Sequence, residues 1–209
     1  MKTNSLYPIF IKLDEVQTLI VGGGNIGLEK VQFILRQSPQ AKIKIIAKDF
    51  HPELIRIAIG NKNVQIRERA FVESDLDGIK LLILATNTSE LNVEIKKLAE
   101  KKNILTNVVD NPPLCEYYTS AVLNKGAVKI AVSSNGVSPT LAKRLRDVIQ
   151  DAIPNEIEES AIFLNQVRNR IKGNLENKIE ILNRVTEVLV SQKQTQEIGK
   201  LELPALNLN

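Results

Sequence analysis

An apolar run that ends in a cluster of glycines constrains this chain more than any other feature. Leu19, Ile20 and Val21 lead into Gly22-Gly23-Gly24-Asn25-Ile26-Gly27, and residues 28–37 then suit a helix. A short apolar run closed by glycine predicts a buried parallel strand, with the glycines forming its turn into the helix. The spacing is G-x-G-x-x-G. In that pattern Gly22 permits the tight turn, Gly24 lets backbone N–H groups of Asn25 and Ile26 approach a pyrophosphate, and Gly27 lets the helix close on the strand. A phosphate there meets the positive end of the helix dipole. A purely structural glycine turn is the alternative.

The same alternation continues. Residues 42–47, 64–67, 81–85 and 104–109 read as further strands, and residues 52–59 and 90–102 as the helices between them. The expected fold class is α/β: a Rossmann-type parallel sheet of about five strands, then a small α+β dimerisation unit and a helical C-terminal region. Asn111-Pro112-Pro113 marks the change. Residues 118–123 and 127–132 predict a strand pair around the turn at residues 124–126, and Ser138-Pro139 starts a helix with Leu141, Leu145, Val148 and Ile149 on one face. Beyond Pro154 two apolar stripes follow, Ile157 to Ile171 and Leu175 to Leu189, as core or dimer contacts, with a frayed tail from residue 202. The expected domains are 1–112 for the nucleotide, 113–153 for dimerisation and the substrate cleft, and 154–209 for the helices.

Several residues can carry chemistry. Asp49 stands 22 residues beyond Gly27, where a carboxylate that bonds an adenosine ribose hydroxyl is expected. Its charge favours NAD over NADP, although Lys48 beside it offsets the repulsion. The competing role for Asp49 is a helix cap. Ala85 and Thr86 are expected on the nicotinamide side, or as part of a cap for the next helix. Asp110 follows the fifth strand at the carboxyl edge of the sheet, where it can take a proton or serve only as a turn residue. Ser133, Ser134, Asn135, Gly136 and Ser138 run into a helix that carries Lys143, Arg144 and Arg146; they form either an anion site or a capping loop with a solvated basic face. The glycine loop, Asp110 and this serine loop are expected to wall one cleft.

Composition narrows the classes. With 43% hydrophobic and 25% charged residues the chain suits a globular protein, and its net charge of +4 is spread along its length. An anionic small molecule fits that at least as well as nucleic acid, which the 4% aromatic content disfavours. No apolar stretch approaches the roughly 18 residues of a membrane span, and the first residues lack the layout of a signal peptide, so a cytoplasmic location without membrane partners is expected. Cys115 has no cysteine to pair with. His51, the only histidine, precedes Pro52 and reads as a helix cap, so no metal site is expected.

Tyr7-Pro8-Ile9-Phe10, Val21-Gly22-Gly23-Gly24, Asn107-Val108-Val109-Asp110 and the block from Val128 through Ser133-Ser134-Asn135-Gly136-Val137-Ser138-Pro139 together resemble the precorrin-2 dehydrogenase family, which includes the N-terminal module of siroheme synthase. The likeness runs from about Tyr7 to about Pro154. Gly27 departs from the family's usual alanine, Tyr117 from a phenylalanine and Ser120 from a proline. The resemblance implies an enzyme, an NAD-dependent oxidoreductase that converts precorrin-2 to sirohydrochlorin in siroheme biosynthesis. It also implies a homodimer, and in some members a ferrochelatase activity that takes ferrous ion as substrate. It places the catalytic acid/base on Asp110, the family's phosphorylatable serine on Ser134, and the polycarboxylate substrate against the serine loop, Lys143 and Arg146. The alternative is a non-catalytic NAD-sensing module that acts through its C-terminal helices.

Overall fold

The computed structural model describes residues 4–171, 179–184 and 186. Five parallel strands, β1 (Gln17–Val21), β2 (Lys42–Ala47), β3 (Val64–Glu68), β4 (Ile79–Leu84) and β5 (Leu105–Val108), form one sheet in the order β3-β2-β1-β4-β5. The helices between them are α1 (Asn25–Gln37), α2 (Pro52–Gly60) and α3 (Ser89–Lys101). A strand pair, β6 (Ala121–Lys125) and β7 (Val128–Val132), is followed by α4 (Pro139–Ala152) and α5 (Ile157–Arg170).

The strands are apolar on both faces because both faces are covered. Ile20, Ile43, Ile45 and Ile83 bury one face with Val31 and Ile34 of α1 and Leu54 of α2. Leu19, Val21, Leu82, Leu84 and Val108 bury the other with Ile95 and Ala99 of α3. The outer edge of β5 is closed by residues 115–117 instead of a sixth strand. Glu116 N–H donates to Thr106 O at 2.9 Å, and Val108 N–H donates to Cys115 Sγ at 3.2 Å while the thiol donates back to Val108 O at 3.2 Å. Burial pushes the Cys115 thiol above its ordinary pKa, which suits this closing role. Lys96 of α3 locks the segment through Glu116 at 2.7 Å.

The chain divides into two compact units. The first comprises residues 1–124 and 130–152, the second residues 125–129 and 153–209. The first strand of the pair starts at Ala121, later than residue 118, because Asn107 Nδ2 donates to Tyr117 O at 2.9 Å and Tyr118 Oη donates to Pro112 O at 3.3 Å, which draws those residues toward β5. In the second unit, Gly126 adopts φ +53°, and a Cβ there would collide with Glu158. The α5 stripe residues Ile157, Ala161, Leu164, Val167 and Ile171 are half-buried. Residues 179–184 are helical, whereas Leu175, Val185, Leu189 and the tail from 202 lie outside the described residues.

Candidate functional site

The turn after β1 is held by its own backbone. Gly22 adopts φ +121°, and its N–H donates to Ile46 O at 2.9 Å. A Cβ at Gly22 would lie 2.3 Å from Ala85 O, and one at Gly27 would lie 2.2 Å from Gly22 O, so α1 closes directly on the turn and alanine at 27 does not fit this loop. Gly23, an unassigned position in the sequence pattern, is as tightly placed. A Cβ there would meet Asp49 O at 2.4 Å, and Gly23 O accepts from His51 N–H at 2.7 Å. Gly24 differs from all three. Nothing lies within 4 Å of its would-be Cβ, and it stands at the N-cap of α1 without a capping side chain or an acidic residue in the first turn. The amides of Asn25 and Ile26 therefore face open space at the positive end of the helix.

That space is a cleft of about 720 Å³ at the carboxyl ends of β1, β2 and β4. Gly22, Gly24, Asn25, Ile26, Lys48, Asp49, Ala85 and Thr86 line it, and Gly27 lies beneath them as the packing residue of α1. Asp49 does not cap α2, because His51 does so by accepting from Glu53 N–H at 3.1 Å through Nδ1. The carboxylate is thus left at the rim, exposed. Thr86 is partly committed, since its hydroxyl donates to Asn92 Oδ1 at 2.6 Å and orders the turn into α3. Arg69 and Phe71, beyond β3, also line the cleft. The sequence pattern gave no sign of them, because they follow a strand the fingerprint does not include. The open amides, the glycine turn and a rim carboxylate fit a dinucleotide.

A second cleft, of about 600 Å³, lies between the outward face of α1, the residues leading into β6, and the loop before α4. Ser133, Ser134, Gly136, Lys143 and Arg146 line it; Asn135 and Ser138 do not. Asn135 turns the loop at φ +53°. Ser138 caps α4, its hydroxyl accepting from Leu141 N–H at 3.2 Å, while Ser134 Oγ accepts from Ser138 N–H at 3.1 Å. The loop's hydroxyls therefore serve its own amides. Positive charge is supplied instead by Lys143 and by Arg146, whose Nε donates to Asp147 Oδ1 at 2.9 Å, together with Lys30 and Arg36 of α1, which carry no sequence motif. Glu29 is the single carboxylate in the lining, 3.3 Å from Lys30. The glycine loop lines the first cleft and the serine loop the second.

Asp110 stands two residues past the end of β5, exposed, with φ +58°. It lines neither cleft, although Asn107, three residues earlier, lines the cationic one. Among the described residues, no group of three or more His, Cys, Asp or Glu is placed to hold a metal ion, and no helix is long and apolar enough to cross a membrane.

Comparison with known proteins agrees with this geometry. The family described as putative NAD(P)-binding matches residues 9–121, and that described as sirohaem biosynthesis protein central matches residues 125–152. The siroheme synthase of Baumannia cicadellinicola subsp. Homalodisca coagulata is 36% identical over 170 residues, 81% of this chain and 36% of that protein. The siroheme synthase of Pseudoalteromonas translucida (strain TAC 125) is 36% identical over 165 residues, 79% of this chain and 34% of that protein. The chain thus spans about a third of the length of the curated relatives it matches. A solved structure described as SirC, precorrin-2 dehydrogenase, shares the fold, with a TM-score of 0.68 and 21% identity over 86% of this chain and 89% of that one. The chain belongs to the putative NAD(P)-binding family and carries, directly behind that domain, the central segment of sirohaem biosynthesis proteins.

Proposed function

We propose that the protein oxidises precorrin-2 to sirohydrochlorin with NAD as hydride acceptor, in siroheme biosynthesis. The observation that carries this reading is the cationic cleft: four basic side chains beside a serine loop, in the same compact unit as the dinucleotide cleft. A tetrapyrrole bearing many carboxylates matches that charge. The name of the structural neighbour, precorrin-2 dehydrogenase, supports the same reaction.

Bound NAD supplies the hydride-accepting ring. The chain's own groups do the rest. The amides of Asn25 and Ile26 hold the pyrophosphate, Asp49 accepts a hydrogen bond from the adenosine ribose, and Lys143, Arg146, Lys30 and Arg36 orient the substrate carboxylates. Asp110 takes the proton that leaves as hydride departs, and its exposed place at the end of β5 lets that proton pass to water. One hydride and one proton are lost per substrate, giving NADH and H⁺. We further infer a homodimer, since Leu141, Leu145 and Val148 of α4 are exposed at 52%, 44% and 65%, and a cytoplasmic location in keeping with a soluble dehydrogenase. Insertion of ferrous ion into the product is a second activity, with the macrocycle's nitrogens as ligands and Asp110 passing their two protons to water.

The test is to mix purified protein with precorrin-2 and NAD and to record NADH and the sirohydrochlorin spectrum together. Both are expected to rise in step, and a folded protein that yields neither overturns the dehydrogenase reading. Asp110→Ala should abolish turnover while leaving NAD affinity intact; retained activity removes Asp110 from proton transfer. Sirohydrochlorin with ferrous ion tests chelation separately.

A further inference from the structure

The cationic cleft holds a nearly buried amide that the mechanism leaves unused. Asn107 of β5 stands in register with Ile83 of β4, which is buried against α1, so its side chain projects to the same face of the sheet. There it lines the cleft together with Lys30 and Phe33 of α1, although it is only 8% exposed. Both of its amide hydrogens are spent. Nδ2 donates to Tyr117 O at 2.9 Å and to Cys115 Sγ at 3.5 Å. A backbone carbonyl only accepts, so the bond to Tyr117 fixes which end of the amide is which. Oδ1 is left over. It has no partner among the described residues, and it is not sealed from solvent. Acceptors nearby are taken: Ser133 Oγ and Ser134 Oγ accept from amides of their own loop, and Glu29 is held by Lys30. Asn107 thus turns a bare acceptor toward a cleft whose charged groups are mostly donors.

We propose that Asn107 Oδ1 accepts a hydrogen bond from a ring N–H of the tetrapyrrole, so that the cleft distinguishes a metal-free macrocycle from a metal-loaded one. The proposal rests on the cationic cleft binding the tetrapyrrole, as argued above. At neutral pH the carboxylates of such a ligand are acceptors, and Lys143, Lys30 and Arg36 meet them. Its donors are the N–H groups of the ring. A reduced macrocycle is flexible, so one of these can tilt toward an acceptor on one face. Insertion of a divalent ion expels two ring protons and leaves the carboxylates and the overall charge as they were. Attraction to the basic side chains is then the same for both forms. Only Oδ1 loses its donor, and it stays covered by the ring with nothing to bond. Asn107 therefore holds the substrate and the metal-free product, and metal insertion loosens that hold.

The experiment measures binding of sirohydrochlorin and of its nickel complex to the full-length chain by equilibrium dialysis, read from the macrocycle's absorbance, with thermal melting as a check on folding. Nickel suits the comparison because it is satisfied by four nitrogens in a plane and needs no ligand from the protein. Wild type is expected to bind the metal-free form about tenfold more tightly. Asn107→Ala should bring the two affinities within about twofold of each other. Asn107→Ser, whose hydroxyl can still donate to Tyr117 O but is too short to reach the ring, should do the same. An asparagine with a structural role alone would weaken both forms alike and leave their ratio unchanged. The proposal fails if wild type binds both forms equally, and it fails if either variant, folded, keeps the wild-type ratio. Should neither variant fold, the wild-type ratio decides alone. Wild-type protein that binds neither form overturns the tetrapyrrole reading of the cleft, and this assignment with it.

Discussion

At the head of α1 the helix amides are open and the neighbouring arginine is committed, whereas at the head of α4 the amides are committed and two of the neighbouring cations, Lys143 and Arg36, are open. Gly24 offers α1 no capping side chain, while Arg69 is turned onto Asp75. Ser138 and Ser134 satisfy the amides before and within α4, while Lys143 and Arg36, with no partner among the described residues, line the cleft beside it. One cleft is thus equipped to bind an anion by backbone and the other by side chain. A backbone cradle has fixed shape and suits one pyrophosphate. Long cationic side chains adapt, and suit several carboxylates around a large substrate.

The sharpest way to break this contrast is at the glycines. In Gly22→Ala the new Cβ meets Ala85 O at 2.3 Å on a backbone at φ +121°, so strain of about 1–3 kcal/mol adds to the collision. NADH binding should be lost and the melting temperature should fall. Gly24→Ala meets nothing within 4 Å and should leave stability within about 0.5 kcal/mol of wild type. Its methyl group would nevertheless occupy the pyrophosphate's space, weakening NADH by about tenfold or more. If Gly24→Ala binds NADH as tightly as wild type, the open amides of α1 are not the phosphate site.

The cationic cleft should respond in the opposite sense. Replacing Lys143 and Arg146 together with alanine removes two charge-assisted contacts of about 1–2 kcal/mol each, so KM for the tetrapyrrole should rise by about thirtyfold or more. KM for NAD and the melting temperature should stay unchanged, because both side chains lie on the cleft lining. The substrate KM should also rise with ionic strength, and more steeply than that for NAD. An equal salt response for both ligands removes the distinction between the clefts.

The commitment of Arg69 can be read through acid stability. Hydrogen bonding from Arg69, reinforced by Lys44 and Val72 N–H and opposed by burial, holds the Asp75 carboxyl well below the usual carboxylate range. A folded-state pKa depressed in this way contributes stability that is present above the unfolded value of about 3.9 and is lost as pH falls through the folded value. Between those two values the unfolded chain binds more protons, so stability rises with pH there. Asp75→Asn should cost about 1–3 kcal/mol at pH 7, and its urea midpoint should fall less than that of wild type between neutral pH and pH values below about 4. Parallel curves for the two proteins show that the carboxylate's charge is not what holds Arg69.

The parts of this design that depend on neighbours in sequence are legible in the sequence, and the parts that depend on distant contacts are not. Gly22, Gly24 and Gly27 fall in one local turn, and the alternation of apolar runs with helical spacing places every strand of the large sheet. Gly23 escaped because its neighbour is the Asp49 turn, 26 residues on, which only the β1–β2 pairing brings close. Lys30 and Arg36 carry no motif on their helix, and become a lining only where residues 118–122 and the serine loop lie across α1. Arg69 carries no motif. Its orientation is fixed by Asp75, six residues away across a bend that hydrophobic periodicity does not detect. The serine loop was ambiguous in sequence for a physical reason: a hydroxyl that caps a helix and one that binds an anion occupy the same position, and only hydrogen-bond partners separate them.

The smallest expected effect tests the other half of the contrast. Ser138 accepts from Leu141 N–H at 3.2 Å, the bond of an N-cap, and its replacement by alanine should cost about 1 kcal/mol of stability. Because Ser138 does not line the cationic cleft, substrate KM should barely move. The direction matters more than the size, since an α4 terminus stripped of its cap has a free amide and a more exposed positive end. Any change in substrate affinity should therefore be a gain. A Ser138→Ala protein that melts like wild type yet binds substrate tenfold more weakly would make this hydroxyl a ligand contact, and α4 would then have to be counted with α1 as a helix whose N-terminus meets its anion directly.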